Sequence, residues 1–109
     1  MERINYSDLI QEILSRHQPN HGSNSTEIQL LFDVQRHHYQ VVHIGWQENH
    51  RVYGVIIHVD IKGDKIWVQR DGTEIGIANE LLEAGVPHAD IVLGFHAPYK
   101  REFTDFAQS

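Results

Sequence analysis

His43, His58 and Asp60 are a set of side chains whose types could together hold a metal ion. Two imidazoles and a carboxylate suit zinc, iron or manganese. Spacing weighs against them. Read as neighbouring antiparallel strands, the segments around them put His43 opposite Ile56 and His58 opposite Val41. The two histidines are then diagonal neighbours at ~7–8 Å, which is marginal for convergence on one ion. The preferred reading is a pair of hydrogen-bonded histidines on a half-buried sheet surface, and no metal or cofactor is expected.

A nuclease would need carboxylates converging on hydrated cations, usually with a lysine beside the nucleophile. Asp60-Ile61-Lys62 echoes half of such a site. Lys62, however, falls at a hairpin turn, and Asp71 and Glu74 are placed to cap a helix. A small metal-dependent nuclease or hydrolase using His58 and Asp60 is therefore the alternative. The Gly72–Gly76 stretch lacks phosphate-loop spacing and its lysine. His37 and His38 fall in a turn, where solvated histidines are ordinary. No catalytic residue is assigned.

Charge narrows the partners. Nine Lys and Arg against fifteen Asp and Glu give a formal charge of -6, the wrong sign for gripping DNA phosphates. Lys100 and Arg101 fall far short of the roughly six contacts that phosphate-driven binding typically needs. DNA is thus expected to be met only indirectly, through a protein. The nine histidines would reverse the sign if all were protonated. With 109 residues and no cysteine, the chain suits one domain without disulfides or thiolate metal sites. Without a signal peptide or a long apolar run, a cytoplasmic, membrane-free protein is expected.

The elements that must carry these residues follow from periodicity. Ser7 is a candidate N-cap for a first helix with the stripe Leu9, Ile10, Ile13 and Leu14. His17 to Thr26 reads as a loop. Four apolar strands follow with a period of two. Their core faces are predicted as Ile28, Leu30, Phe32, Val34; Val42, Ile44, Trp46; Tyr53, Val55, Ile57, Val59, Ile61; and Ile66, Val68. Register then requires an odd loop at Arg36–His38 and even ones at Glu48–Arg51 and Gly63-Asp64, the last a type II′ turn. A second helix spans about Glu74–Ala84, with an Asp71/Glu74 capping box and a stop at Gly85-Val86-Pro87. The fold class is α+β: a four-stranded antiparallel meander with an N-terminal and a C-terminal helix on one face. Ile91–Leu93 reads equally as a fifth strand or a buried turn. The aromatic and basic tail after Gly94 should dock on something.

The other sheet face is half apolar and carries Leu31, Tyr39, Val41, His43, Ile56, His58 and Trp67, with Gly45, Gly54, Asp60 and Gln69. Such a face needs a cover. These residues are the candidate interaction surface, for another protein or a second copy, and the chain is expected to self-associate in isolation.

The sequence resembles the XisI family. The likeness rests on Ile66-Trp67 before Asp71-Gly72-Thr73-Glu74, then Gly76-Ile77-Ala78-x-Glu80-Leu81, Gly85-Val86-Pro87, Asp90-Ile91-Val92-Leu93-Gly94-Phe95 and Pro98. It extends through Tyr53-Gly54, His58-x-Asp60-Ile61 and Phe103-Thr104-x-Phe106-Ala107 to nearly the whole chain. The resemblance implies a controlling factor for excision of the fdxN DNA element in differentiating cyanobacteria. It implies action beside a nuclease-like XisH companion, with a separate recombinase exchanging strands. No catalytic residue comes with it. An antitoxin-like inhibitor of the companion is a further alternative.

Overall fold

The structure, a computed structural model, describes residues 4–17 and 26–109; most of the predicted His17–Thr26 loop lies outside them. Helix α1 (Tyr6–Ser15) is followed by β1 (Thr26–Asp33), β2 (His38–Gln47), β3 (His50–Lys62), β4 (Lys65–Asp71) and α2 (Ile77–Glu83). The chain ends with a 3-10 turn (His88–Asp90), β5 (Ile91–Leu93) and α3 (Pro98–Arg101). The strands form one mixed sheet in the order β1-β2-β3-β4-β5, antiparallel except for the parallel β4–β5 pair. The four-stranded expectation thus gains a fifth strand. A parallel neighbour requires a crossover, which the chain from α2 through the 3-10 turn supplies. Among the described residues no helix is long and apolar enough to cross a membrane.

Both helices lie on one face. Ile10, Ile13 and Leu14 of α1 and Ile77, Ala78 and Leu81 of α2 share a single core with Tyr39, Val41, Ile57, Val59, Ile66, Val68, Ile91 and Leu93. The first helix begins before the predicted cap: Asn5 is the N-cap, and its side chain accepts from the Asp8 amide. Ser7 instead lies inside the helix with Oγ 2.6 Å from the Tyr39 hydroxyl. That contact, with His37 Nδ1 at 3.0 Å, satisfies the hydroxyl and lets a tyrosine be fully buried.

The second helix is shorter than predicted, and no capping box with Glu74 forms. Asp71 caps across a wider loop: Oδ1 accepts from the Thr73 amide and hydroxyl, and Oδ2 from the Ile77 amide at 2.7 Å. The predicted stop holds. Gly85, at φ 102°, donates to Leu82 O and Val86 donates to Leu81 O, the two bonds of a Schellman ending.

The strand faces need correction. The β1–β2 turn is four residues, Val34–His37, not odd, with Asp33 accepting from the Arg36 amide at 3.0 Å. The changed parity turns every β2 side chain over relative to expectation. Tyr39 and Val41 point into the core, opposite Phe32 and Leu30, whereas Val42, Ile44 and Trp46 point away. A bulge then leaves Ile56 without a partner, since Val41 pairs with Ile57 and Val42 with Val55. A bulge adds one residue to one strand, so Tyr53 and Val55 leave the core face while Ile57 and Val59 stay in it. A second bulge leaves Gln69 unpaired, with His58 opposite Arg70 and Val59 opposite Val68.

Candidate functional site

The register fixes what the face opposite α1 and α2 presents. One row across the sheet is Asp33, His38, Asp60, Trp67 and Val92, and the next is Leu31, Gln40, His58 and Arg70. At the far end Ile44 faces Tyr53 and Trp46 faces Arg51. Directly paired residues share a face, so His38, His58 and Asp60 meet there.

Asp60 is the centre of the cluster and only 6% exposed. Its Oδ1 lies 2.8 Å from His38 Nδ1 and 2.8 Å from His58 Nε2. Gln69, turned in by its bulge, donates to Oδ2 at 3.3 Å. The Gln40 amide nitrogen sits 3.4 Å from the other ring nitrogen of His58. Burial works to raise the pKa of Asp60. The hydrogen bonds from His38 and His58, the charge at His58 and the bond from Gln69 outweigh it and hold the carboxyl below its ordinary range. Asp60 is therefore ionised at neutral pH.

Of the expected metal-type residues, the structure brings His58 and Asp60 together and leaves His43 out. His43 pairs with Gly54 and Ile28 on the helix-bearing face, so the sheet separates it from His58. His38, expected to be a solvated turn histidine, takes that place because the four-residue turn makes it the first residue of β2. The pairing of Phe32 with Tyr39 was the signal available: placing the two aromatics opposite each other aligns His38 with Asp33. Lys62 does not reach Asp60; its Nζ lies 4.6 Å from the Trp67 ring centroid.

The expected interaction surface divides. Leu31, His58 and Trp67 lie on the face opposite α1 and α2. Tyr39 and Val41 are fully buried in the core, Ile56 packs against that core, and the half-buried His43 lies on the same side, so these four do not share the face of the other three. The tail covers part of that face. Arg101 sets its guanidinium carbon 5.2 Å from the Trp67 ring centroid, and its Nε donates to His96 O at 3.0 Å. Ala107 pairs with Val92 and donates to Ile91 O, which helps leave Val92 with no exposed surface. At the opposite end the face is open. Trp46 and Tyr53 are 50% and 72% exposed, and Arg51 lies over both aromatic rings; Leu31, 47% exposed, stands apart from them in the row of Gln40 and His58.

Comparison with curated proteins gives no match. Among solved structures, a XisI-like protein from Anabaena variabilis ATCC 29413 is 43% identical, with 94% of each chain covered and a TM-score of 0.90. The fdxN element excision controlling factor XisI from the same organism is 35% identical, covering 95% of this chain and 92% of its own, with a TM-score of 0.77. The XisI protein family model matches residues 1–108. Fold, identity and coverage agree: this chain belongs to the XisI family.

Proposed function

We propose that the chain is a non-enzymatic controlling factor in the excision of a DNA element, acting through a nuclease-like companion of the XisH type rather than on DNA itself. The observation that carries this reading is its 35% identity, over 95% of its length, to a protein named as an fdxN element excision controlling factor. Two physical features support a protein-mediated role. The formal charge of -6 disfavours direct phosphate binding. The open end of the sheet face, with Trp46, Arg51 and Tyr53, has the aromatic and arginine character of binding hot spots. In isolation that same patch is where a second copy would pair.

The test is excision in a host that carries an excisable element and lacks its own controlling factor. Supplying this chain should restore the excised junction, detected by amplification across it. Loss of restoration in Trp46→Glu/Tyr53→Glu, with retention in Lys100→Ala, is expected. Failure of the wild-type chain to restore excision would contradict the excision role. Loss in Lys100→Ala alone would point to direct DNA contact.

A further inference from the structure

We propose that His38, His58 and Asp60 form a binding site for a first-row transition-metal dication such as Zn(II). The ion would be held by His38 Nδ1, His58 Nε2 and one Asp60 oxygen, with a fourth position toward solvent. Neither the excision reading nor the family match assigns this site, and the inference does not depend on either.

Convergence is the first argument. Two ring nitrogens from adjacent strands point at the same carboxylate oxygen, and the three candidate ligand atoms lie within 4.8 Å of one another. Bonds of about 2.0–2.1 Å in a tetrahedral site place ligand atoms roughly 3.3 Å apart, so the present 2.8 Å contacts need open only slightly. Nitrogen donors favour zinc and its neighbours over magnesium or calcium.

The surroundings are the second. Asp60 is buried, yet among the described residues its ion-pair partners are the two histidines and no lysine or arginine. Neighbouring cations are engaged elsewhere: Lys62 and Arg101 at the ring of Trp67, and Arg70, opposite His58, at the carbonyl of Val55. The outer positions are filled by amides that can orient ligands without competing for the ion. Gln69 holds the second oxygen of Asp60, and Gln40 faces the free nitrogen of His58. By turning its amide over, Gln40 can accept a hydrogen bond from the N–H at that position once the other nitrogen is bound. His38 is 54% exposed at its side chain, which gives the ion an entry path and an open coordination position.

Proton accounting is consistent. Without metal, each ring nitrogen facing Asp60 carries a hydrogen that it donates to Oδ1. An entering cation replaces those two hydrogens. They move to the outer ring nitrogens if the imidazoles are neutral, or to solvent if they are cationic.

The experiment is a Co(II) titration of tag-free, chelator-stripped protein, followed by visible ligand-field absorption, with Zn(II) then added as competitor. The expected result is saturation at one equivalent, with bands of four- or five-coordinate intensity that Zn(II) abolishes. Affinity should fall roughly tenfold or more in His38→Gln, His58→Gln and Asp60→Asn, and should be unchanged in His43→Gln and His96→Gln. Where His58→Gln or Asp60→Asn loses its far-ultraviolet circular dichroism, the exposed His38→Gln carries the comparison. Absence of stoichiometric Co(II) binding would overturn the proposal. So would binding that survives His38→Gln, or that is lost in the control variants.

Discussion

The backbone amide of Gly72 donates a 2.8 Å hydrogen bond to the carbonyl of Ile56, the residue that the β3 bulge leaves without a strand partner. The bond ties the bulge to the loop that starts the second helix. It thereby fixes the register that puts Val41 and Ile57 in the core and His58 and Asp60 on the opposite face. A Cβ on Gly72 would lie 3.0 Å from the Ile56 carbonyl oxygen and 3.3 Å from its Cγ2. Gly72→Val should therefore destabilise the fold by about 1–3 kcal/mol, measured by urea unfolding. Gly54→Ala is the control: nothing lies within 4 Å of its Cβ, and its effect should be within about 0.5 kcal/mol.

Much of the architecture was legible in the sequence, and the part that was not has a local cause. The stripe of α1 and the Gly85 ending of α2 follow from helical spacing and left-handed glycine geometry, which short windows contain. The Gly63-Asp64 hairpin is likewise where expected, with Gly63 at φ 60°. The faces of β2 depend on the turn Val34–His37, where a single residue more or less inverts a strand. His37 adopts φ 60° there, which its residue type does not announce. The bulges at Ile56 and Gln69 interrupt otherwise unbroken apolar alternation, so periodicity carries the wrong parity past them. The candidate cluster inherited that error: Asp60 and His58 were named, but their third member is His38 and not His43.

Tyr6 supplies a pH test. Its hydroxyl donates to Asp90 Oδ2 at 2.5 Å. Burial, that bond and the charges of Asp90 and Asp64 push its pKa from 10.0 to about 12. A raised folded-state pKa contributes stability that is fully present below the unfolded value and is lost as pH rises through the folded one. The protein should lose this contribution between about pH 10 and 12, and Tyr6→Phe should lack that part of the decline. Phenolate absorbance checks the assignment: the component ionising near 12 should vanish in Tyr6→Phe.

Arg101 should control the docking of the tail. Its guanidinium lies over Trp67, and its nitrogens donate to the carbonyls of His96, Gly94 and Gln108. Arg101→Ala removes a cation–π contact together with these bonds, at a cost of about 1–2 kcal/mol. Hydrogen exchange should accelerate at Ala107, whose amide bonds to Ile91 O, and stay slow in the core strands β2 and β3. Unchanged exchange at Ala107 would mean that the tail is held by Phe106 and the Val92 pairing alone.

The most direct test of the central claim is size-exclusion chromatography with light scattering of this chain mixed with an XisH-type protein, the proposed companion, at neutral pH. The account predicts a complex of defined mass that forms with the wild-type chain and with Tyr99→Glu/Phe103→Glu, and is lost in Trp46→Glu/Tyr53→Glu. A wild-type chain that elutes apart from the companion, or a complex that survives Trp46→Glu/Tyr53→Glu, would contradict it.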